Sequence, residues 1–442
     1  MRADILSASV GAYDLYCIIT VIMYVRATIG LEPDSREGGS MTDSGPAFVG
    51  DDAPPSATPS TASLVVALVG LMLAYMLGLN VTPVLNGVWT DRLDLAPSEA
   101  GLVISAHFVA MAIATILAGR FVGRLRMRRS AIIAALWTMA CYVASGFAKQ
   151  SEMLMLCFGL SGVGIGFQMG AMAALLSHRA DSDRVYAIAV VIGSSLVAAL
   201  TIAFASAVPH LTIPQFFAAL ALIPLVQLAL AFLLPFRLQS VRPSASPPKR
   251  PRGAVPPVVV AMIFMQIGGM AVWAFTERVG HRLGLPTATI GTILAATAVS
   301  AIIGAACAAR AARLQRRTAL ALVGLTGFGL SNLSIILAPS PTVYAAALLM
   351  QAFALTFTLP FLTAVALEEQ DGGRTAAYAH GWSMLLGAAS PYAAGWLIEE
   401  HGFAAIAFYS GTALLLSILP LLIRHHPGSP MHDSQPQYAN NT

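Results

Sequence analysis

The stretch Asp91-Arg92-Leu93-Asp94-Leu95, with Gly101 shortly after it, closes one long uncharged run of the chain. His281-Arg282-Leu283-Gly284-Leu285, with Gly291 at the same distance, closes another. The step along the chain from Arg92 to Arg282 equals the step from Gly101 to Gly291. The same interval recurs downstream, where Asp181-Ser182-Asp183-Arg184 returns as Asp371-Gly372-Gly373-Arg374 and Arg124-Leu125 returns as Arg313-Leu314 one residue out of step. The chain is one hydrophobic unit written twice.

Composition fixes the medium in which that unit folds. Of 442 residues, 57% are hydrophobic and only 10% charged, where soluble domains carry about a quarter charged residues. Ionisable groups are costly at bilayer depth, so the charge-free runs mark the spans. They cover 53–90, 100–119, 130–148, 153–178, 185–236, 253–276, 283–309, 318–367, 375–398 and 401–423. Two of them are long enough for two helices across a hydrocarbon core of about 30 Å. The first breaks at Pro209-His210-Leu211-Thr212-Ile213-Pro214 and the second at Pro339-Ser340-Pro341, because proline removes backbone donors and favours turns. The expectation is an all-α integral membrane protein of twelve transmembrane helices in two six-helix repeats, residues 62–236 and 258–424. The runs are too long and continuous for the alternating segments of a β-barrel.

Basic residues give the orientation, since they are retained on the cytoplasmic side of short loops. The loops after even-numbered spans, with Arg424, hold 18 Lys and Arg, and the opposite loops hold Arg92, Lys149, Arg278 and Arg282. Both ends of the bundle are expected in the cytoplasm. The net charge of +4 thus reflects topology, and no nucleic-acid partner is expected. Residues 237–257 carry Arg242, Lys249, Arg250 and Arg252 among prolines and serines and read as a cytoplasmic linker between the halves. Residues 1–61 and 425–442 read as disordered. The apolar piece Leu15 to Val25 is about half the length of a spanning helix, so residues 1–40 are expected to be an untranslated extension, with Met41 as the start. Cys17, Cys141, Cys157 and Cys307 lie in apolar segments without CxxC spacing and read as packing residues.

After the second span comes Gly119-Arg120-Phe121-Val122-Gly123-Arg124-Leu125-Arg126-Met127-Arg128-Arg129. With twelve spans and a basic linker after the sixth, this segment resembles the major facilitator superfamily, whose loop there reads approximately Gly-x-x-x-Asp-Arg-x-Gly-Arg-Arg. Gly119, Arg124 and Arg128 match it. Gly123 stands where the family has aspartate, and Arg126 where it has its second glycine. The resemblance covers roughly residues 62–424 and implies alternating access, with Gly119, Arg124 and Arg128 in a cytoplasmic gating loop. The glycine-proline signature of the family's drug exporters is missing from span five. Gly387-Ala388-Ala389-Ser390-Pro391 in span eleven reads as a kink and a close-packing site.

Polar residues inside spans are the remaining pointers, because a polar group without water needs a partner or a cavity. The resemblance implies that spans 1, 4, 7 and 10 line the central cavity. That makes Asn80, Asn86, Gln168, Gln266 and Gln351 the substrate-cavity candidates, with Trp273 as an aromatic surface for an organic substrate. Gln227 and Asn332 are expected to bond between helices instead. For proton coupling the titratable candidates are Glu277, His107 and His380, against the plainer readings of Glu277 as a partner of Arg278 or Arg282 and of His107 as a structural residue.

No phosphate-binding loop, metal-ligand cluster or nucleophile–base pair is visible, so the expectation is no enzyme, no cofactor and no metal site. The resemblance implies a secondary active transporter of a small organic solute, acting as a monomer in a bacterial inner membrane, with a proton gradient as one source of drive. The rival readings are an exporter of amphipathic drugs and a non-transporting receptor on the same fold.

Overall fold

The computed structural model describes residues 61–121, 127–177, 182–234, 255–314, 316–369 and 372–425. The expectations for the N-terminal segment, Arg124, the linker and the tail lie outside them. In a medium without water every backbone N–H and C=O must be satisfied within the protein, and the described residues are helical almost throughout. The first half holds α1 (Thr61–Arg92), α2 (Pro97–Phe121), α3 (Met127–Ser145), α4 (Ser151–Ser177), α5 (Ser182–Ala207) and α6 (Ile213–Ala231). The second holds α7 (Pro257–Arg282), α8 (Thr287–Ala311), α9 (Arg317–Ile336), α10 (Pro341–Leu367), α11 (Gly372–Ala388), α12 (Ser390–His401) and α13 (Ala404–His425).

Ten of these helices are individually long and apolar enough to cross a membrane. The other two expected spans fall short for local reasons. Helix α3 carries Arg128, Arg129 and Ser130 in its first turn and is less apolar than α6, which has the same 19 residues. Span eleven is broken at Ala389 into α11 and α12, of 17 and 12 residues, at the Gly-Ala-Ala-Ser-Pro segment singled out as a kink. The proline breaks fall as expected, with α6 beginning at Ile213 and α10 at Pro341. Thr212 and Gln215 cap α6 reciprocally, and the Ser340 hydroxyl accepts from Val343 N at the start of α10.

The repeated segments both turn through a left-handed residue. After α1 the backbone passes through a left-handed residue at Asp94 (φ 53°), and after α7 through one at Gly284 (φ 78°). A left-handed residue lets late carbonyls of a helix be satisfied as the chain turns away; here Leu95 N bonds Trp89 O and Leu285 N bonds Gly280 O.

Within the first half α2 packs along α4, α3 against α4 and α6, and α1 against α5 and α6. Within the second, α9 and α8 flank α10, and α7 lies between α11 and α13. Across the halves α1 meets α7, α2 meets α11 and α12, and α5 meets α8. These contacts tighten at the end of the bundle where α1 and α7 finish and α2 and α8 begin. There a side chain at Gly101 would overlap the carbonyl of Pro391, and one at Gly395 the carbonyl of Pro97. On the other flank a side chain at Gly291 would overlap Ala205, with Thr201 O close by. The two flanks correspond through the repeat, since the interval that carries Gly101 to Gly291 also carries Thr201 to Pro391.

This closed end has no room for a side chain at its glycines, so overfilling it should favour any state in which the end is open. For Gly291→Leu the expected bias is about 1–3 kcal/mol, the usual cost of forcing extra methylenes into packed space. A cysteine at Ser105 should then be labelled faster by a thiol reagent than in the parent, in a background stripped of native cysteines. Unchanged labelling would mean that the contact at Gly291 does not hold the end shut.

Candidate functional site

Spans 1, 2, 7 and 11 meet at the centre of the bundle around a cavity of about 30 Å³. The first half contributes Tyr75 and Leu79 from α1 and Phe108, Met111 and Ala112 from α2. The second contributes Gln266 and Met270 from α7 and Met384 and Ala388 from α11. Gly387 admits Gln266 to this position, since a side chain there would crowd the Gln266 Cγ. The Ser390 hydroxyl donates to Ile267 O at 2.6 Å and ties the break in span eleven to α7.

Between the cavity and the closed end, α1 and α7 exchange side chain-to-backbone bonds. Asn86 Nδ2 donates to Ala274 O at 2.6 Å, and Trp273 Nε1 donates to Leu79 O at 3.0 Å. One turn further along lies Glu277, 2% exposed although it carries a carboxyl. Its Oε1 is 2.7 Å from His281 Nε2, the i,i+4 neighbour, and that nitrogen also lies 3.2 Å from Thr287 Oγ1. Its Oε2 has no hydrogen-bond partner. The carboxyl faces Gly87 of the other half, where any side chain would overlap it. Gly87 and Glu277 are themselves separated by the repeat interval, so the two copies present a notch and a carboxyl to each other at the same position.

The arginines expected beside Glu277 are engaged elsewhere. Arg278 pairs with Asp91 across the halves, and the Arg282 guanidinium lies 4.6 Å over the Phe403 ring. Further polar contacts at this end include Ser98 N donating to Glu399 Oε1 at 2.8 Å, which places an acidic group of the second half on the first turn of α2. A carboxylate there favours the positive end of the helix dipole.

The candidates divide sharply. Gln266 lines the cavity, while Asn86 and Trp273 bind the halves together beside it. Asn80 turns back to Met76 O of its own helix at 2.9 Å. Gln351 bonds Asn332 within the second half, and Gln168 is buried with Oε1 unpartnered; neither lines the cavity. The cavity found here is lined from spans 1, 2, 7 and 11. His107 is a packing residue: Nδ1 contacts Phe158 O at 3.1 Å and Ser161 Oγ at 2.9 Å, and the ring stacks on Phe158. His380 is fully buried, with Nε2 3.2 Å from Thr363 Oγ1. Trp89 packs edge-on against Phe158 inside the first half. Gln227 donates to Gly70 O at 2.7 Å, an interhelical bond as expected. In the gating segment Gly119 lies in α2, and Arg128 Nε donates to Leu234 O at 3.0 Å. That bond holds α3 to the end of α6 inside one half.

A cavity and a buried carboxyl between two helical repeats define a membrane carrier in architecture. Residues 64–275 match the Major Facilitator Superfamily. No curated protein matches by sequence comparison. Among solved structures, the fold is shared with a D-xylose–proton symporter (17% identity, TM-score 0.63, covering 83% of this chain and 97% of that one). It is shared equally with the nucleoside transporter NupG (11%, 0.65, 83% and 99%) and with a POT family transporter in complex with a thioalcohol-conjugated peptide (11%, 0.65, 82% and 96%). The family match covers just under half of the chain, and the fold is that of these membrane transporters; the chain is similar to multi-pass transporters and to no enzyme among these matches.

The notch at residue 87 and the carboxyl at 277 can be tested as a pair. Gly87→Ala should lower thermal stability in the parent, and most of that loss should vanish in a Glu277→Ala background. The coupling expected for groups in direct contact is roughly 0.5–3 kcal/mol. An equal cost in both backgrounds would separate the two residues.

Proposed function

We propose that the chain is a secondary active transporter of a small organic solute. It works by alternating access in a bacterial inner membrane, with the closed end facing outward and with proton movement coupled through Glu277. The observation that carries this reading is the carboxyl itself, buried where the halves meet with one oxygen held by His281 and the other unpartnered. A buried charged or polar group without its hydrogen bonds is costly, and separating the halves changes its surroundings. Its charge and the conformation of the carrier are therefore energetically linked. The groups that act on it are His281, Arg278, Asp91 and, from α10, Tyr344, whose hydroxyl donates to Thr276 O at 3.0 Å.

His281 has a third of its side-chain surface exposed, and its Nε2 reaches the carboxyl. It gives protons a route between the closed end and Glu277 while the halves stay together. The polar contacts that cross the halves cluster at this end, which supports rocking about it as the transport motion. Two repeats moving against each other around a central site is the mechanism this architecture serves. The orientation follows from the 18 against 4 distribution of basic residues.

Glu277→Gln keeps shape and hydrogen bonding but cannot cycle charge. In vesicles it should abolish accumulation driven by an imposed pH gradient while solute exchange across the same membrane stays measurable. Accumulation at the parental level would remove Glu277 from coupling. A parent insensitive to the gradient would point to another driving ion or to facilitated diffusion.

The orientation has its own readout. In whole cells a cysteine at His210, exposed beyond α5, should react with an impermeant thiol reagent, and one at Arg316 should not. The reverse pattern would invert the topology.

A further inference from the structure

Resting on the reading of the chain as a carrier with its solute site between the halves, we propose that the solute is an uncharged, largely apolar small molecule. It carries one hydrogen-bonding group, as a ring-bearing amine-free heterocycle, alcohol or amide does.

The walls of the cavity carry the argument. None of the lining residues bears a formal charge, and only Tyr75 and Gln266 bring polar side-chain atoms. Three are methionines, each from a different span: Met111 on α2, Met270 on α7 and Met384 on α11. At about 30 Å³ the space has room for about two or three waters. A solute therefore fits only by moving side chains aside. Methionine suits that task, since its unbranched chain rotates readily and its polarizable thioether packs against aromatic surfaces. Such a wall, supplied from both halves, re-forms around an apolar shape. Phe108 and Tyr75 add ring faces.

The polar complement is as restrictive as the apolar wall is permissive. Gln266 on α7 brings an amide to the wall, enough to orient a solute by a single hydroxyl, ring N–H or amide. A sugar-like solute would bury several hydroxyls with no partner, and each would cost roughly tenfold or more in affinity. An ion would lose its water with no opposite charge in the wall. Glu277 lies seven residues beyond Met270 on the same helix, about 10 Å along its axis.

The test is equilibrium binding of radiolabelled indole to the full chain in lipid nanodiscs. Indole-3-acetate, tryptamine, xylose and uridine serve as competitors, so that one ring is presented neutral, anionic and cationic beside two polyhydroxylated molecules. The expected result is a saturable component displaced by unlabelled indole and by none of the four competitors. Ala112→Phe, which fills the cavity, should weaken it at least tenfold. Gln266→Leu preserves the shape and should also weaken it, by about tenfold; it covers the case in which Ala112→Phe does not fold. Partition into lipid is common to all nanodiscs and cancels in these differences.

Displacement by xylose, uridine or either charged indole as effective as by indole itself would overturn the proposal. So would saturable indole binding undiminished in the folded variants, or no saturable indole binding at all. Because binding is read without transport, this outcome is independent of the vesicle result for Glu277→Gln. Failure of the coupling assignment leaves the solute class standing, and the reverse also holds.

Discussion

Backbone meets backbone where Gly101 lies against Pro391 and Gly395 against Pro97, and the arrangement of the halves depends on that approach. Between spanning helices, apolar burial supplies little drive, because lipid tails are as apolar as leucine. What holds two bundles together is close packing and a few directional bonds. Both are concentrated at one end here, where small residues let α2 and α12 touch and where Asn86, Trp273, Arg278 and Glu399 bond across the halves. These contacts join the two halves at that one end of the bundle.

The duplication recurs in the turns and seams and is unequal in chemistry. Asp94 and Gly284 are left-handed residues at matching turns, and Gly101 and Gly291 occupy matching seams. At Gly87 and Glu277 the copies differ, one providing a carboxyl and the other the space for it. Two carboxylates at those positions would oppose each other at short range in a region without water, a like-charge pair that strongly disfavours double ionisation. A single group avoids that conflict. The asymmetry therefore leaves a single carboxyl at this matched pair of positions.

Much of this is legible in the sequence. The repeat interval marks the glycines at the seams and the turns beside them, and the prolines mark where long runs break into two helices. The azimuth of each side chain is not legible. A helix apolar all round carries no amphipathic signal of which face meets which neighbour. Hence Gln351 and Gln266, both uncharged amides in spans, end in different places, one bonded to Asn332 and one in the cavity wall. By composition alone His107 fits a cavity wall as well as a packed interior, yet α4 supplies Phe158 and Ser161 to hold it. Arg128 reads with its loop in the sequence, whereas its guanidinium reaches the end of α6. The partner of Glu277 is one helical turn away at His281, a spacing visible in the sequence but masked by two nearby arginines.

The paired bonds between α1 and α7 distribute evolutionary freedom unevenly. Asn86 and Trp273 contribute side-chain donors, while their acceptors are the main-chain carbonyls of Ala274 and Leu79. A carbonyl is present whatever the residue, so positions 79 and 274 can change side chain without losing the bond, provided the volume fits. The donor positions have no such latitude. Solute-facing residues can therefore drift toward new chemistry next to a joint that keeps its geometry, and one scaffold can be retuned for different cargo without redesigning how it closes.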